Sequence, residues 1–327
     1  MAKQATALER AADAGAARGI RLRQASDRVY AWGLRFLAAI TPVLVLAIGV
    51  DLWLESAVSR HAFGWGFLTS RAWNPVLGEF GAAPFIFGTL VTTAVAVIIA
   101  VPFSLAVAIF LAEQAPRWLR GPVSYWVELL AAVPSVVYGL WGIFALAPWM
   151  RRALDPWLRS HLGWLPLFQG ASYGVGFLTA GLILALMITP YITGIAREVI
   201  GAVPQAYRDG AYALAATRWD AIWDVVLPSA QSGIWGGVML GVGRALGETI
   251  AVTMVIGNRP AISASLFAPG YTLASAIANE FTEAIGPKYV SALLELGLVL
   301  FAITVLVNLL ARWMVWRTTR HTRGLLA

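Results

Sequence analysis

Long apolar runs constrain the folding of this chain more than any other feature of its sequence. A helix needs roughly 20 apolar residues to cross the hydrocarbon core of a bilayer. Six segments meet that length, and they lie at 32–53, 84–112, 123–149, 174–196, 232–257 and 290–315. With 59% hydrophobic residues and a mean hydropathy of +0.72, the sequence predicts an all-α integral membrane protein with six transmembrane helices.

The positions of the basic residues predict how the spans are oriented. With the N-terminus inside, two thirds of the 24 Lys and Arg residues fall on the cytoplasmic side. Cytoplasmic loops of membrane proteins carry such an excess, so both termini are predicted to be cytoplasmic. The loop 150–172 is an exception, because it carries three arginines and falls outside. The first 30 residues lack the short apolar stretch of a cleaved signal peptide, so the N-terminus is expected to be retained.

The predicted organisation has a cytoplasmic arm at 1–31, a transmembrane domain at 32–317 and a cytoplasmic tail at 318–327. The arm is basic and is expected to lie near anionic lipid. These flanks account for the net charge of +7, so no nucleic-acid partner is predicted. Cysteine is absent and the three histidines are far apart in sequence, so no metal site is predicted.

The polar segment between the fourth and fifth spans has apolar residues at helical spacing. It reads "PQAYRDGAYALAATRWDAIWDVVLP" over 204–228, and the pattern is expected to stop at its final Leu-Pro. The segment resembles the EAA loop of ABC-importer permeases, in which Glu-Ala-Ala is followed by Gly and ends in Ile-x-Leu-Pro. The matching positions are Asp209, Gly210, Ala211, Ala215, Val225, Leu227 and Pro228. Ala215 stands where the family has Gly, which removes backbone freedom at the expected bend, and Gly210 stands where the family has Ala.

The resemblance implies that this loop presents a short coupling helix to a groove on a separate ATPase. The charged residues expected to pair across the rim of that contact are Arg208, Asp209, Arg218, Asp220 and Asp224. The chain itself has no P-loop, since its two lysines, Lys3 and Lys288, follow Ala and Pro. The resemblance therefore implies that the chain is not an enzyme and binds no cofactor, while ATP and Mg²⁺ bind to the partner ATPase.

Other segments resemble a narrower family. These are "VELLAAVPSVVYGLWGIFALAP" (127–148), "LALMITPYITGIAREVIGAVP" (184–204), "RALGETIAVTMVIGN" (244–258) and "LELGLVLFAITVLVNLLARWMVWR" (294–317). Together they are similar to the PstC-type permease subunit of the phosphate ABC importer. The resemblance implies a type I ABC-importer permease fold in a bacterial plasma membrane and inorganic phosphate as substrate. It also implies a PstA-type second permease, a PstB-type ATPase homodimer and an external PstS-type binding protein as partners.

Arg244 and Glu248 are two opposite charges inside the fifth predicted span. In a helix starting near Gly233, Arg244 lies about 16 Å along the axis, roughly mid-bilayer. A lone charge there costs about 3 kcal/mol on insertion scales, and the spacing of four residues puts both side chains on one face. Two interpretations stay open: a structural bridge between the charges, or an arginine that contacts the passing oxyanion while Glu248 competes for it.

Four further polar residues in the spans are candidates. Thr249 and Thr253 either add hydroxyl donors to the same pathway or bond to their own helix backbone. Glu128 and Glu295 lie near the ends of the third and sixth spans, where both are expected to reach water at the membrane boundary.

Alternatives to a phosphate permease remain at this stage. Within the class, the chain is a permease for another oxyanion, such as sulfate, molybdate or phosphonate, or the PstA-type partner subunit. In a different class, it is an ATP-independent channel or secondary transporter. Such a protein has no need for the pattern at 209–228, so copurification of an ATPase separates the two classes.

Overall fold

The computed structural model describes residues 30–323, and the side chains of 30–316. The predicted arm at 1–31 lies almost entirely outside this range, as do the last four residues of the predicted tail. Between residues 30 and 323 the structure is helical with no β-strand, and one short antiparallel bridge joins Asn74 and Glu79.

Helix α1, Tyr30–Glu55, is apolar and long enough to cross a membrane. The contacts divide the chain at residue 54, so this helix belongs to a unit of its own. Its described side chains are almost all exposed, which suits a helix whose surface meets lipid. The first predicted span, 32–53, is confirmed.

The second unit contains the remaining helices. In chain order they are α2 (Ala57–Phe63), α3 (Gly66–Thr69), α4 (Ala83–Gln114), α5 (Arg117–Ala132), α6 (Ser135–Leu162), α7 (Phe177–Gly201), α8 (Gln205–Ala213), α9 (Arg218–Gly247), α10 (Ile250–Val255), α11 (Leu273–Glu280) and α12 (Pro287–Arg323). The helix α12 includes residues 318–323 of the predicted tail. The predicted spans at 84–112, 174–196 and 290–315 correspond to α4, α7 and α12.

Helix α7 is the most deeply buried of the long described helices and packs against α4 and α9. Small residues allow the close approach. A Cβ on Gly181 would lie 2.4 Å from the Val95 side chain of α4, and one on Gly241 would lie 2.9 Å from Ile192. Such contacts are typical of membrane helices, which associate through close packing. Helix α7 therefore packs closely against both α4 and α9.

The bounds predicted for the third span, 123–149, are wrong, because this segment belongs to two helices that together begin earlier and end later. Helices α5 and α6 meet at a bend of 92°, and α6 continues to Leu162. Val133 at the break has an extended backbone, because the ring of Pro134 disfavours helical geometry in the residue before it. Much of the predicted external loop at 150–172 is consequently helical.

The prediction for the fifth span, 232–257, is also wrong at both ends. Helix α9 begins at Arg218 and passes through Leu227 and Pro228 without stopping. A wide π-helical turn at Ala221–Val226 comes just before that proline, where a missing backbone N–H would interrupt regular helix bonding. The helix ends at Gly247, and α10 follows after a break. Among the described residues, five helices are suited to span a membrane, or six if α5 and α6 count as one span.

Candidate functional site

The predicted bend of the 204–228 loop is confirmed at Ala215. Helix α8 ends at Ala213, and Ala215 adopts a left-handed backbone with φ 60°. This is the position at which the resembled loop has Gly, and Gly adopts that conformation without a steric penalty. Thr217 and Asp220 then form a reciprocal cap that begins α9. The segment is thus a helix, a left-handed turn and a second helix.

The exposed side of this helical pair is rich in aromatic and aliphatic side chains. Tyr207 and Leu214 are exposed, Leu214 to 86% of its surface. The rings of Trp219 and Trp223 lie 5.6 Å apart, and both are exposed. Asp209 and Gly210 are exposed beside them. Apolar and aromatic side chains held in the open by a rigid turn are typical of a surface that contacts another protein.

Arg208 does not lie on the predicted polar rim. Its side chain is buried and forms an ion pair with Glu113 at the end of α4, with 2.5 Å between Nη2 and Oε1. It also donates to the carbonyls of Val203 and Ile200, at 2.5 and 3.1 Å. These carbonyls lie at and just after the end of α7, where helix acceptors have no partner within the helix. Arg208 therefore fastens α8 to the ends of two long helices.

The other residues of the predicted loop motif divide between interior and surface. Ala211 is buried, and Leu227 packs beside a small apolar cluster that includes Ile200 and Val226. Pro228 is exposed. Small or apolar residues at the inner positions let α8 and α9 lie close to the end of α7, and the other positions are exposed.

Arg244 lies in the last turn of α9, beside an aromatic ring. Its guanidinium carbon is 4.6 Å from the centroid of the Tyr191 ring on α7, a cation–π arrangement. Its Nε is buried and has no hydrogen-bond partner among the described residues. The arginine is thus held near the end of α9, and its buried Nε–H is free to donate a hydrogen bond.

The predicted alignment of Arg244 and Glu248 on one helical face is wrong. The helix ends at Gly247, and Glu248 has an extended backbone with ψ 126°. Its Oε1 accepts a hydrogen bond from the backbone N–H of Ala251, at 3.4 Å, in the first turn of α10. The ion pairs within the described residues lie elsewhere, at Arg208–Glu113 and Arg197–Glu128. The break in the helix separates the two charges.

Thr249 and Thr253 both bond to nearby backbone. The Thr249 hydroxyl donates to the carbonyl of Gly247 at 3.2 Å, and that of Thr253 donates to the carbonyl of Thr249 at 2.8 Å. These bonds satisfy carbonyls around the break between α9 and α10. In this conformation the hydroxyls stabilise the interrupted helix.

Two tyrosines near Arg244 were not among the predicted site residues. Tyr138 donates to the carbonyl of Leu130 at 2.9 Å, and Tyr191 donates to that of Ala131 at 3.0 Å. Both acceptors are in the last turn of α5, where the break at Pro134 leaves carbonyls free. The sequence signal was a tyrosine within four residues of a proline inside an apolar run.

The two predicted boundary carboxylates differ in environment. Glu128 is exposed, as predicted, and pairs with Arg197 on α7 at 3.2 Å. Glu295 is buried at 5% exposure, so the prediction that it reaches water is wrong. Helix α2 packs against α12, and the Glu295 Oε2 is buried without a hydrogen-bond partner among the described residues.

The unexplained arginines of 150–172 lie on α6. Arg151 and Arg152 line a cavity of about 520 Å³ together with Tyr173. This cavity is near the end of α7 that is opposite α8. Two cations on one cavity wall attract anions.

Comparison with known proteins agrees with this architecture. The sequence profile of the family described as "Binding-protein-dependent transport system inner membrane component" matches residues 104–320. A bacterial ABC transporter involved in import of the polysaccharide alginate has a chain of similar fold, with a TM-score of 0.61, 15% identity, and coverage of 91% of this chain and 99% of that one. A chain of the inward-facing methionine ABC transporter MetNI gives a TM-score of 0.55 at 16% identity, covering 76% and 99%. Fold and profile define the class: a transmembrane permease component of an ABC importer.

Sequence relatives define the group within that class. The phosphate transport system permease protein PstC of Mesorhizobium japonicum is 46% identical over 301 residues, covering 91% of this chain and 92% of the relative. PstC of Pasteurella multocida is 48% identical, covering 86% and 89%. The chain belongs to the PstC-type permease family, as the motifs at 127–148 and 244–258 indicated.

Proposed function

We propose that this chain is one permease half of an ATP-driven importer of inorganic phosphate. The substrate is inferred from the relatives, which are phosphate transport permeases and match this chain over most of its length. The other half of the pore is a PstA-type subunit, and an external PstS-type protein delivers phosphate. A PstB-type ATPase homodimer binds ATP and Mg²⁺, since this chain has no P-loop.

The observation that carries the mechanism is the continuity of α9. One helix runs from Arg218, beside the exposed turn, to Arg244 and ends three residues later at Gly247. The distance from Arg218 to Arg244 is about 39 Å at 1.5 Å per residue. Movement of the turn at one end of such a helix moves the guanidinium at the other end, because a helix transmits displacement along its axis.

The ATPase contact is assigned to the exposed side chains Tyr207, Leu214 and Trp219. An aromatic and aliphatic surface of this kind suits a groove on a partner. The ion pair of Arg208 and Glu113 lies behind this surface and connects α8 to the end of α4. A movement of α8 would therefore also move the end of α4. With this surface facing the cytoplasm, both termini are cytoplasmic, in a bacterial plasma membrane.

Arg244 is assigned as the contact for the phosphate oxyanion during passage. Its unpartnered Nε and planar fork of donors suit phosphate oxygens. The Tyr191 ring holds the guanidinium weakly, so an anion competes with an aromatic face rather than with a carboxylate. Glu248, Thr249 and Thr253 hold the helix break that ends α9 just after this arginine.

The test is phosphate uptake by cells that lack the native permease and carry the Arg244→Gln variant. Uptake is expected to be lost, while the ATPase still copurifies with the tagged permease. The matched control is Arg312→Gln, which removes an exposed arginine from α12 and should leave uptake intact. Normal uptake by Arg244→Gln would show that the arginine does not contact phosphate during transport. If sulfate or molybdate inhibits wild-type uptake more strongly than unlabelled phosphate does, the substrate is not phosphate.

A further inference from the structure

A basic cavity lies behind α8, the helix that carries part of the surface assigned to the ATPase contact; we call α8 the docking helix and the turn at Ala215 the docking turn. A cavity of about 850 Å³ opens between the adjoining ends of α4 and α7, the start of α5, and the α8–α9 pair. Its charged lining residues are Glu113, Arg120, Arg208 and Arg218. The cavity is separate from Arg244, which does not line it and lies near the other end of α9.

The cavity walls carry an excess of positive charge. Glu113 is already neutralised, because it accepts hydrogen bonds from Arg208 through Nε at 3.2 Å and through Nη2 at 2.5 Å. Arg120 and Arg218 remain without a carboxylate partner among the described residues. Two uncompensated guanidinium groups in one recess produce a local field that favours anions.

Hydrogen-bond donors from three exposed residues line this cavity and are only partly used. Arg120 donates from Nη2 to the carbonyl of Ala112 at 3.1 Å, which orients its guanidinium at the wall. Arg218 is the first residue of α9, and Tyr212 brings a hydroxyl from α8. The side chains of Arg218 and Tyr212 make no hydrogen bond to another group within residues 30–316. An ion that brings several acceptor oxygens would satisfy donors from three helices.

We propose that this cavity binds a phosphate-type anion, which is either the headgroup of an anionic lipid or free inorganic phosphate. Guanidinium groups bind phosphate oxygens through paired, charge-assisted hydrogen bonds. A basic pocket between helices at a membrane surface is a typical headgroup site. The bound anion links Arg120 on α5 to Arg218 on α9, so its occupancy fixes the docking turn against the membrane helices.

The test uses the purified importer complex in lipid nanodiscs, with thermal unfolding of the complex as readout. In one arm, phosphate-free buffer is combined with phosphatidylcholine alone or with added phosphatidylglycerol. In the other arm, inorganic phosphate is titrated at constant ionic strength into phosphatidylcholine discs. A response in the first arm identifies a headgroup, and a response in the second identifies free phosphate.

The diagnostic variant is Arg120→Gln combined with Arg218→Gln. The stabilisation seen in wild type should be lost, or should need at least about 10-fold more anion, because hydrogen bonds to charged groups are lost. Arg117→Gln is the matched control, since Arg117 is an exposed arginine one turn earlier on α5. It should stay within about 2-fold of wild type, as expected for an exposed charge.

An equal anion response of wild type and double variant in both arms would overturn the proposal. The proposal is also overturned if neither anion changes the unfolding temperature of wild type. If the double variant then also loses its ATPase, an acidic side chain of the ATPase occupies the cavity instead. Singly substituted variants keep the test open if the double variant is too unstable to purify. Arg244→Gln removes the contact assigned to the transported anion, so the part of the response that this variant keeps belongs to the cavity and not to the transport site.

Discussion

Arg208 and Arg244 both lie in a largely apolar helical framework, but their guanidinium groups have very different partners. Arg208 is buried, pairs with Glu113 and donates to two helix-end carbonyls. Arg244 is stacked on the Tyr191 ring, and its buried Nε has no hydrogen-bond partner among the described residues. One guanidinium is satisfied by protein groups and the other is not.

The difference separates a structural charge from one available to a ligand. A buried ion pair with further hydrogen bonds resists disruption, because removing either partner leaves an unpaired charge. A guanidinium held by an aromatic face keeps donors for an incoming oxyanion. We therefore expect substitutions at Arg208 to act on stability and substitutions at Arg244 to act on transport.

The largest expected effect is at Arg208. The Arg208→Gln variant leaves Glu113 buried without its cation, which should reduce the free energy of unfolding by about 3–5 kcal/mol. The measurement is thermal unfolding of the purified complex, together with its amount in the membrane. Replacing both partners, with Arg208→Met and Glu113→Leu, should restore most of the loss. A single variant as stable as wild type would mean that the pair contributes little.

The next effect is at Arg244 and should appear in transport alone. Arg244→Lys keeps the charge but loses the planar fork and the stacked geometry, so initial uptake should fall at least about 10-fold. The unfolding temperature should stay near that of wild type, in contrast to Arg208→Gln. Full uptake by the lysine variant would show that charge without fork geometry suffices, and a large loss of stability would make Arg244 structural.

Much of the helical framework is predictable from the sequence. The spans at 84–112, 174–196 and 290–315 follow from hydropathy, because a bilayer requires long apolar helices. The errors in the third and fifth spans include two interruptions. Hydropathy does not register the bend at Pro134, since residues on both sides are apolar. It also misses the break after Gly247, where Glu248 has an extended backbone and the Thr249 side chain does not cap α10.

The sequence identified a charged residue of the candidate site but not the contacts that the charged residues make. Arg244 stood out as a charge in an apolar run, and that signal needs no structure. Its apparent partner Glu248 lay at helical spacing, yet the break turns that carboxylate to the N–H of Ala251. Arg208 was assigned to the polar rim of the expected ATPase contact because it lies in the segment that resembles the EAA loop. Its true partner, Glu113, is 95 residues away, and local patterns carry no information about such contacts.

A smaller effect is expected at Tyr191, which tests what holds Arg244. The Tyr191→Leu variant removes the ring, and a contact of about 0.5–1 kcal/mol corresponds to a change in uptake of roughly 2- to 5-fold. Tyr191→Phe keeps the ring and loses the bond to the Ala131 carbonyl. Initial uptake rates of the two variants separate the contributions: the phenylalanine variant should lie closer to wild type. The reverse order would assign the main role to the hydroxyl.

The smallest effect is expected at Ala215, next to the part of the molecule that Arg208 fastens. Its left-handed φ of 60° costs a residue with a Cβ roughly 1–2 kcal/mol. Because Gly pays more conformational entropy on folding, Ala215→Gly should gain only about 0.5–1 kcal/mol in the free energy of unfolding. The matched control is Ala213→Gly, in the helical part of α8, which should lose up to about 1 kcal/mol. The unfolding temperature should therefore rise in Ala215→Gly and fall in Ala213→Gly. The affinity of uptake for phosphate should stay constant in both variants, because both positions are far along α9 from Arg244. A changed affinity in either variant would show that the turn at Ala215 affects the surroundings of Arg244 even when the ATPase does not drive movement.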